Sequence, residues 1–213
     1  MNPHRPVTKT PRKTRTLILR TTHNVLLAAG LFGLAYAAYV VADARTYQAI
    51  EQSKFESVSP REERHPVIEG SAIGEMEVPR LGLKAIFVQG DSPRILRRAV
   101  GHISETALPG EWGNVVLTGH RDSFFRPLRN IRQGDVITLK TFDGDFQYQV
   151  ESTAVVPPND TQVLQPSSQR TLTLITCFPF YYVGPAPNRF IVRARQIGRL
   201  PARSPIAEAP VHF

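Results

Sequence analysis

The sequence contains a single cysteine, Cys177, and its setting suggests chemistry. It closes the run Thr171-Leu172-Thr173-Leu174-Ile175-Thr176-Cys177, which has the alternation of a strand. Leu172 and Leu174 then share the core side, and Thr171, Thr173, Ile175 and Cys177 share the other. The thiol therefore faces outward at a strand end. Most free cysteines are buried as small apolar groups, but this parity argues against that fate. The next apolar strand reads Asn188-Arg189-Phe190-Ile191-Val192-Arg193-Ala194-Arg195. Phe190, Val192 and Ala194 form its inward set, with Arg189, Ile191, Arg193 and Arg195 outward. Antiparallel pairing across the intervening loop brings Arg189 beside Cys177, where a guanidinium stabilises a thiolate or a developing oxyanion.

A base is available in Thr118-Gly119-His120-Arg121-Asp122, which follows the short apolar run 114–117. His120 thus sits just past a strand end, next to a glycine that permits close approach. Asp122 either orients the imidazole or caps the following turn, and the cap is the simpler role. Taken alone, His120 reads as a surface histidine and Arg189 as a solvated strand residue. Taken together with Cys177, they make a nucleophile, a proton carrier and a charge stabiliser, the components of acyl transfer through a thioester. The sequence lacks GxGxxG, a Walker loop, HExxH, GxSxG and CxxC, so the usual nucleotide, zinc-protease and serine-hydrolase signals are missing.

At these residues the chain resembles the sortases, membrane-anchored cysteine transpeptidases of bacteria. Thr173-Leu174-Ile175-Thr176-Cys177 is similar to their TLxTC signature. Leu117 to Asp122 resembles their histidine segment, and Asn188-Arg189-Phe190 falls where their arginine follows the cysteine. Residues 142–164 also look similar, with Val155-Val156-Pro157 and Val163-Leu164 in order. The resemblance covers about 73–194. It implies a closed eight-stranded β-barrel with short helices. It also implies cleavage of the Thr–Gly bond in an LPxTG-like sorting signal and transfer of the acyl group to an amine. Cys177 would be the nucleophile, His120 the general acid/base, and Arg189 the residue that holds the substrate carbonyl and oxyanion. Gly119-His120-Arg121-Asp122 and Phe178-Pro179 look most like class D, ahead of classes E and C. Class C pilin polymerases usually carry a lid and a second span; neither is visible, which favours protein anchoring. Two readings from the residues stand beside this one: an exported barrel that binds peptides by strand addition without catalysis, and a thiol peptidase that releases hydrolysed product.

Other candidates are weaker. His102 either lines the site and touches substrate or is a structural histidine. Thr176 precedes the nucleophile and is a second candidate for substrate contact, although its parity points inward. Trp112 lies in the turn Pro109-Gly110-Glu111-Trp112-Gly113, where partial burial is the default. A metal site from His102, His120, Asp122 and Cys177 lacks any helical ligand spacing, and no dense acidic cluster suggests calcium. Neither a metal nor a cofactor is expected.

The elements that must position these residues are short. Candidate strands are 73–78, 84–88, 114–117, 135–141, 145–156, 171–176 and 190–194, with one helix at 93–99 and a turn at 124–128. So many short strands in so few residues suit a barrel, because closure protects the strand edges. The barrel is placed at 71–196, and 197–213 is read as a flexible, proline-containing tail.

Charge and hydropathy complete the organisation. The formal net charge is +8, but residues 1–24 hold six basic side chains and no acidic ones. The remainder carries twenty basic against eighteen acidic residues, too even a balance for a nucleic-acid surface. Residues 25–42 form an uncharged apolar run, about 27 Å long as a helix, enough to cross the hydrocarbon of a bilayer. The positive-inside bias puts 1–24 in the cytoplasm and the rest outside. Ala35-Tyr36-Ala37 also has the form of a signal-peptide cleavage site. The apolar run continues past it, however, which favours a retained anchor. Residues 43–70 read as a helical extension passing into a linker. With 41% hydrophobic and 21% charged residues, the exported part can form a core, and one cysteine excludes an intramolecular disulfide.

Overall fold

The structure, a computed structural model, describes residues 12–57, 68–182 and 184–201. The chain divides into two compact units at Asp43 and Ala44. The first consists of helix α1 (Arg12–Ser57) up to Asp43. Helix α1 is the one described helix long and apolar enough to cross a membrane, and its apolar window is not buried against protein. Leu26, Leu31, Phe32 and Leu34 are all exposed.

The second unit is a closed barrel of eight strands: β1 (Ala72–Val78), β2 (Leu83–Gln89), β3 (Val100–His102), β4 (Gly113–Thr118), β5 (Val136–Thr141), β6 (Gly144–Val156), β7 (Arg170–Phe178) and β8 (Asn188–Leu200). Their order around the barrel is β1-β2-β3-β4-β7-β8-β6-β5, closed by antiparallel pairing of β5 with β1. The β2–β3 and β4–β7 pairs are parallel, and the others are antiparallel. Alternate residues fill the interior. Met76 and Val78, Val115 and Leu117, Leu172 and Leu174, and Val192 and Ala194 are each at most 1% exposed. Burying each of the larger of these side chains stabilises the fold by about 1.5–3 kcal/mol.

Four expectations change. Strand β3 is an eighth strand, only three residues long and fully buried, too short to announce itself by alternation. The expected helix at 93–99 is a single turn, α2 (Pro93–Leu96), because the chain must reach β3. Strand β8 runs to Leu200, paired with Asp145, so 197–200 belong to the barrel. Residues 202–213 of the expected tail lie outside the described residues.

The fourth change concerns 43–70, which is more than a linker. Residues 44–57 of α1 are part of the barrel unit. Gln48 donates from its side-chain nitrogen to the Arg98 carbonyl at 2.7 Å and accepts from the Ile86 amide at 2.8 Å. The β2–β3 ladder begins only at Phe87, so Gln48 satisfies a β2 backbone group that has no strand partner there. Tyr47 packs with Ile95 against Ile86, Val88 and Ala99, and Phe55 meets the Phe142 ring at 4.7 Å. Residues 58–67 lie outside the described residues.

Candidate active site

The site is built where three strands end together. Strands β7 and β8 are antiparallel neighbours in which Cys177 is the direct partner of Arg189, and Phe178 that of Asn188. Strand β4 lies parallel on the other side of β7, with Thr118 opposite Ile175. One residue further, the Gly119 amide donates to the Ile175 carbonyl at 3.2 Å. His120 therefore leaves β4 alongside the strand whose last residues carry the thiol. Cys177, His120 and Arg189 are all half-buried, neither sealed in the core nor fully solvated.

Thr176 and Gly119 explain how the histidine loop is held. The Thr176 hydroxyl, 2% exposed, donates to the Gly119 carbonyl at 2.7 Å. With the amide already bound to Ile175, both backbone groups of Gly119 are tied to β7. A side chain at 119 would place its Cβ 3.1 Å from the buried Phe125 ring, which makes glycine the fitting residue. The Phe125 amide in turn donates to the His120 carbonyl at 3.0 Å, closing the turn. Asp122 is exposed and, among the described residues, hydrogen-bonded neither to His120 nor to the turn that follows. Thr176 is thus a positioning residue rather than the expected substrate contact, because its hydroxyl is buried and occupied.

His102 is corrected in the same way. It is 1% exposed, with Nδ1 2.9 Å from Gln89 Oε1 and Nε2 2.9 Å from the Ala107 carbonyl oxygen. Burial pushes its pKa below the ordinary histidine value. The side chain secures the β3–β4 connection and presents no surface to a peptide.

Outward parity does not always mean exposure. Thr173 is fully buried and Ile191 is 2% exposed, although both point away from the core. The β6–β7 connection lies over this outer face. Asn114 donates to the carbonyls of Val163 at 3.0 Å and Gln165 at 3.3 Å, and accepts from the Thr173 hydroxyl at 2.7 Å. Ile175 and Cys177, on the same face nearer the strand end, are half-buried.

The sequence alone did not identify the residues that brace the β7–β8 loop. Arg121 Nη2 donates to the carbonyls of Tyr182 at 2.7 Å and Gly184 at 3.1 Å, and its guanidinium lies 5.8 Å from the Tyr182 ring. Arg129 donates to the Tyr181 hydroxyl at 2.6 Å and sits 5.5 Å from that ring. Arg189 itself donates to the carbonyls of Ala186 and Asn188. Phe178, Phe180 and Phe190 form an aromatic cluster beneath, with the Phe180 and Phe190 rings 5.4 Å apart. The only available signal for Arg121 was its place directly after His120.

The sortase-domain family model matches residues 76–197. Sortase D of Bacillus subtilis is 30% identical over 81% of this chain and 96% of its own length. A Clostridium perfringens sortase D5 transpeptidase has a similar structure, with a TM-score of 0.64 and 27% identity over 74% of this chain and 99% of that one. Sortase E of Streptomyces avermitilis follows, with a TM-score of 0.56 and 28% identity over 63% of this chain and 93% of that one. With a closed eight-stranded barrel, the cysteine in its signature strand, and class D members among its relatives, the chain belongs to the sortase family of cysteine transpeptidases.

Proposed function

We propose that Cys177, His120 and Arg189 form the catalytic set of a membrane-anchored transpeptidase acting on proteins with LPxTG-like sorting signals. The observation that carries this reading is the direct pairing of Cys177 with Arg189, beside a β4 end that delivers His120. The Cys177 thiolate attacks the carbonyl carbon of the signal's threonine. Arg189 holds the carbonyl oxygen as it gains charge. His120 gives a proton to the departing glycine nitrogen, the Thr–Gly bond breaks, and a thioester remains on Sγ. An amine then attacks the thioester, passes a proton to His120, and leaves as the new amide while the thiolate returns.

The apolar run in α1, with its basic flank, supports a retained anchor with a cytoplasmic N-terminus and the barrel outside. The acceptor is then an amine of the cell wall or of another surface protein. The deciding experiment incubates the full chain in detergent with LPxTG-like peptides, with and without an added amine, and follows products by mass. The expected products are a cleaved C-terminal piece, a Cys177-linked acyl peptide and an amine-dependent amide. Acid product alone, unaffected by amine, would point to a hydrolase. No cleavage and no Cys177 adduct across a broad peptide set would leave a peptide-binding barrel.

A further inference from the structure

The barrel pole opposite Cys177 carries a second concave site. Strand β7 starts at Arg170 and reaches Cys177 seven residues later, so the two ends are about 23 Å apart. At the Arg170 end, Trp112, Arg170, Arg195, Gln196, Ile197 and Arg199 line most of a cavity of about 350 Å³. That volume lies within the range of small-ligand sites. None of its lining residues is acidic.

Trp112 departs from the partial burial expected of it: it is 68% exposed. The cause lies in the preceding turn. Gly110 adopts φ 89°, and the Phe146 ring packs where a Gly110 side chain would be, so the turn seats on Phe146 and directs Trp112 outward. Arg170 donates through Nε to the Gly110 carbonyl at 3.0 Å and lies 4.5 Å from the Trp112 ring centre. The guanidinium thereby covers one face of the indole and steadies it, and the exposure leaves the other face open.

Arg195 and Arg199 keep donors to spare. Among the described residues, Arg195 bonds through Nε to Glu151 Oε1 at 2.7 Å, and Arg199 through Nη2 to the Asp143 carbonyl at 2.9 Å. Each guanidinium has five N–H donors, and its fork matches the oxygens of a phosphate. A flat, open indole beside two such forks suits a ligand with an anionic head and a carbon face.

We propose that this pole binds a phosphorylated sugar or polyol, with Arg195 and Arg199 on the phosphate and Trp112 stacked on the carbon skeleton. The site is separate from the Cys177 end and does not depend on how that end works. An anionic surface polymer built of such units would then dock the enzyme without blocking the strand ends where chemistry occurs.

Trp112 is the only tryptophan in the chain, so its fluorescence reports this site directly. The full chain in detergent is titrated with glucose 1-phosphate, glycerol 1-phosphate, glucose, inorganic phosphate and a tetraglutamate peptide. The expected result is saturable quenching by at least one of the two organophosphates, about tenfold tighter than by glucose or inorganic phosphate, and weakened by salt. The double variant Arg195→Glu/Arg199→Glu should lose that response about tenfold or more while keeping a cooperative thermal unfolding transition near that of the parent, which shows that it is folded. Equal response to inorganic phosphate, tighter binding of tetraglutamate, no saturable change, or an undiminished response in the double variant would each overturn the proposal.

Discussion

Cys177 and Arg189 are Cα partners in the β7–β8 ladder, and one more rung, Phe178 with Asn188, separates them from the loop. Strand pairing thus sets the backbone positions of the two residues, while the guanidinium is held by the carbonyls of Ala186, in the loop, and Asn188. Hydrogen bonding along both strands fixes the separation of the two Cα atoms, the backbone part of a preorganised site.

Cys177→Ala should abolish peptide cleavage and leave the fold intact, because the thiol is half-buried at a strand end and fills no core space. Thermal unfolding and product mass would show this. Arg189→Lys should lower kcat/KM about a hundredfold, since an ammonium does not reproduce the planar fork at a developing oxyanion. Full activity in either variant would remove that residue from the mechanism.

Thr176→Val keeps shape and removes a hydroxyl. The Gly119 carbonyl then loses its donor in a buried setting, at a cost of about 1–3 kcal/mol. Because Gly119 precedes His120, activity should fall by more than the population of unfolded protein explains. Denaturant unfolding and kcat, measured together, separate the two effects.

Arg121→Ala should release the β7–β8 loop without unfolding the barrel. The side chain bonds to two loop carbonyls and contacts the Tyr182 ring from the residue next to His120. The expected outcome is a kcat about tenfold lower, from the loss of two charge-assisted hydrogen bonds that organise the loop. Faster amide exchange at 179–187 should accompany it, while Tm stays near that of the parent.

His102 makes stability fall with acid. Burial lowers its folded-state pKa, so the unfolded chain binds the proton first. Stability should decline as pH drops through about 6.5, the ordinary histidine value, and level off for this group below the folded pKa. His102→Gln should flatten that part of the pH profile, as read by denaturant midpoints.

The barrel should be more stable when residues 44–57 are retained. A fragment beginning at Ala44 keeps the two Gln48 hydrogen bonds and the Tyr47 and Phe55 contacts, whereas one beginning at Ser71 loses them. Gln48→Ala alone should cost about 1–3 kcal/mol, since it strands the Ile86 amide and the Arg98 carbonyl. Comparing the unfolding of the two fragments tests this.

Much of the site is legible in residue order because it depends on short-range rules. Period-two alternation orients Leu172, Leu174 and Cys177, and antiparallel pairing across one loop brings Arg189 to the thiol. What escapes is long-range cover and bracing. Thr173 and Ile191 look outward by alternation yet are buried, and at Thr173 the cover involves Asn114 of β4, which ties the hydroxyl to the β6–β7 connection. Strand β3 has too few residues to show a period. Gln48 looks like one polar residue in a spacer until the missing β2 partner is seen. The exposed Trp112 depends on a ring in β6 that no local pattern ties to it.

The Gln48 clasp also decides how the domain bears load. Tension carried along α1 enters the barrel through Tyr47, Gln48 and Phe55, at β2, the turn before β3 and the β5–β6 hairpin. It does not begin by pulling on the first residue of β1, where a strand would unzip one rung at a time. The β7–β8 rung of Cys177 and Arg189 is not among these points of entry, although β6 pairs with β8 at its far end, where Val156 faces Arg189.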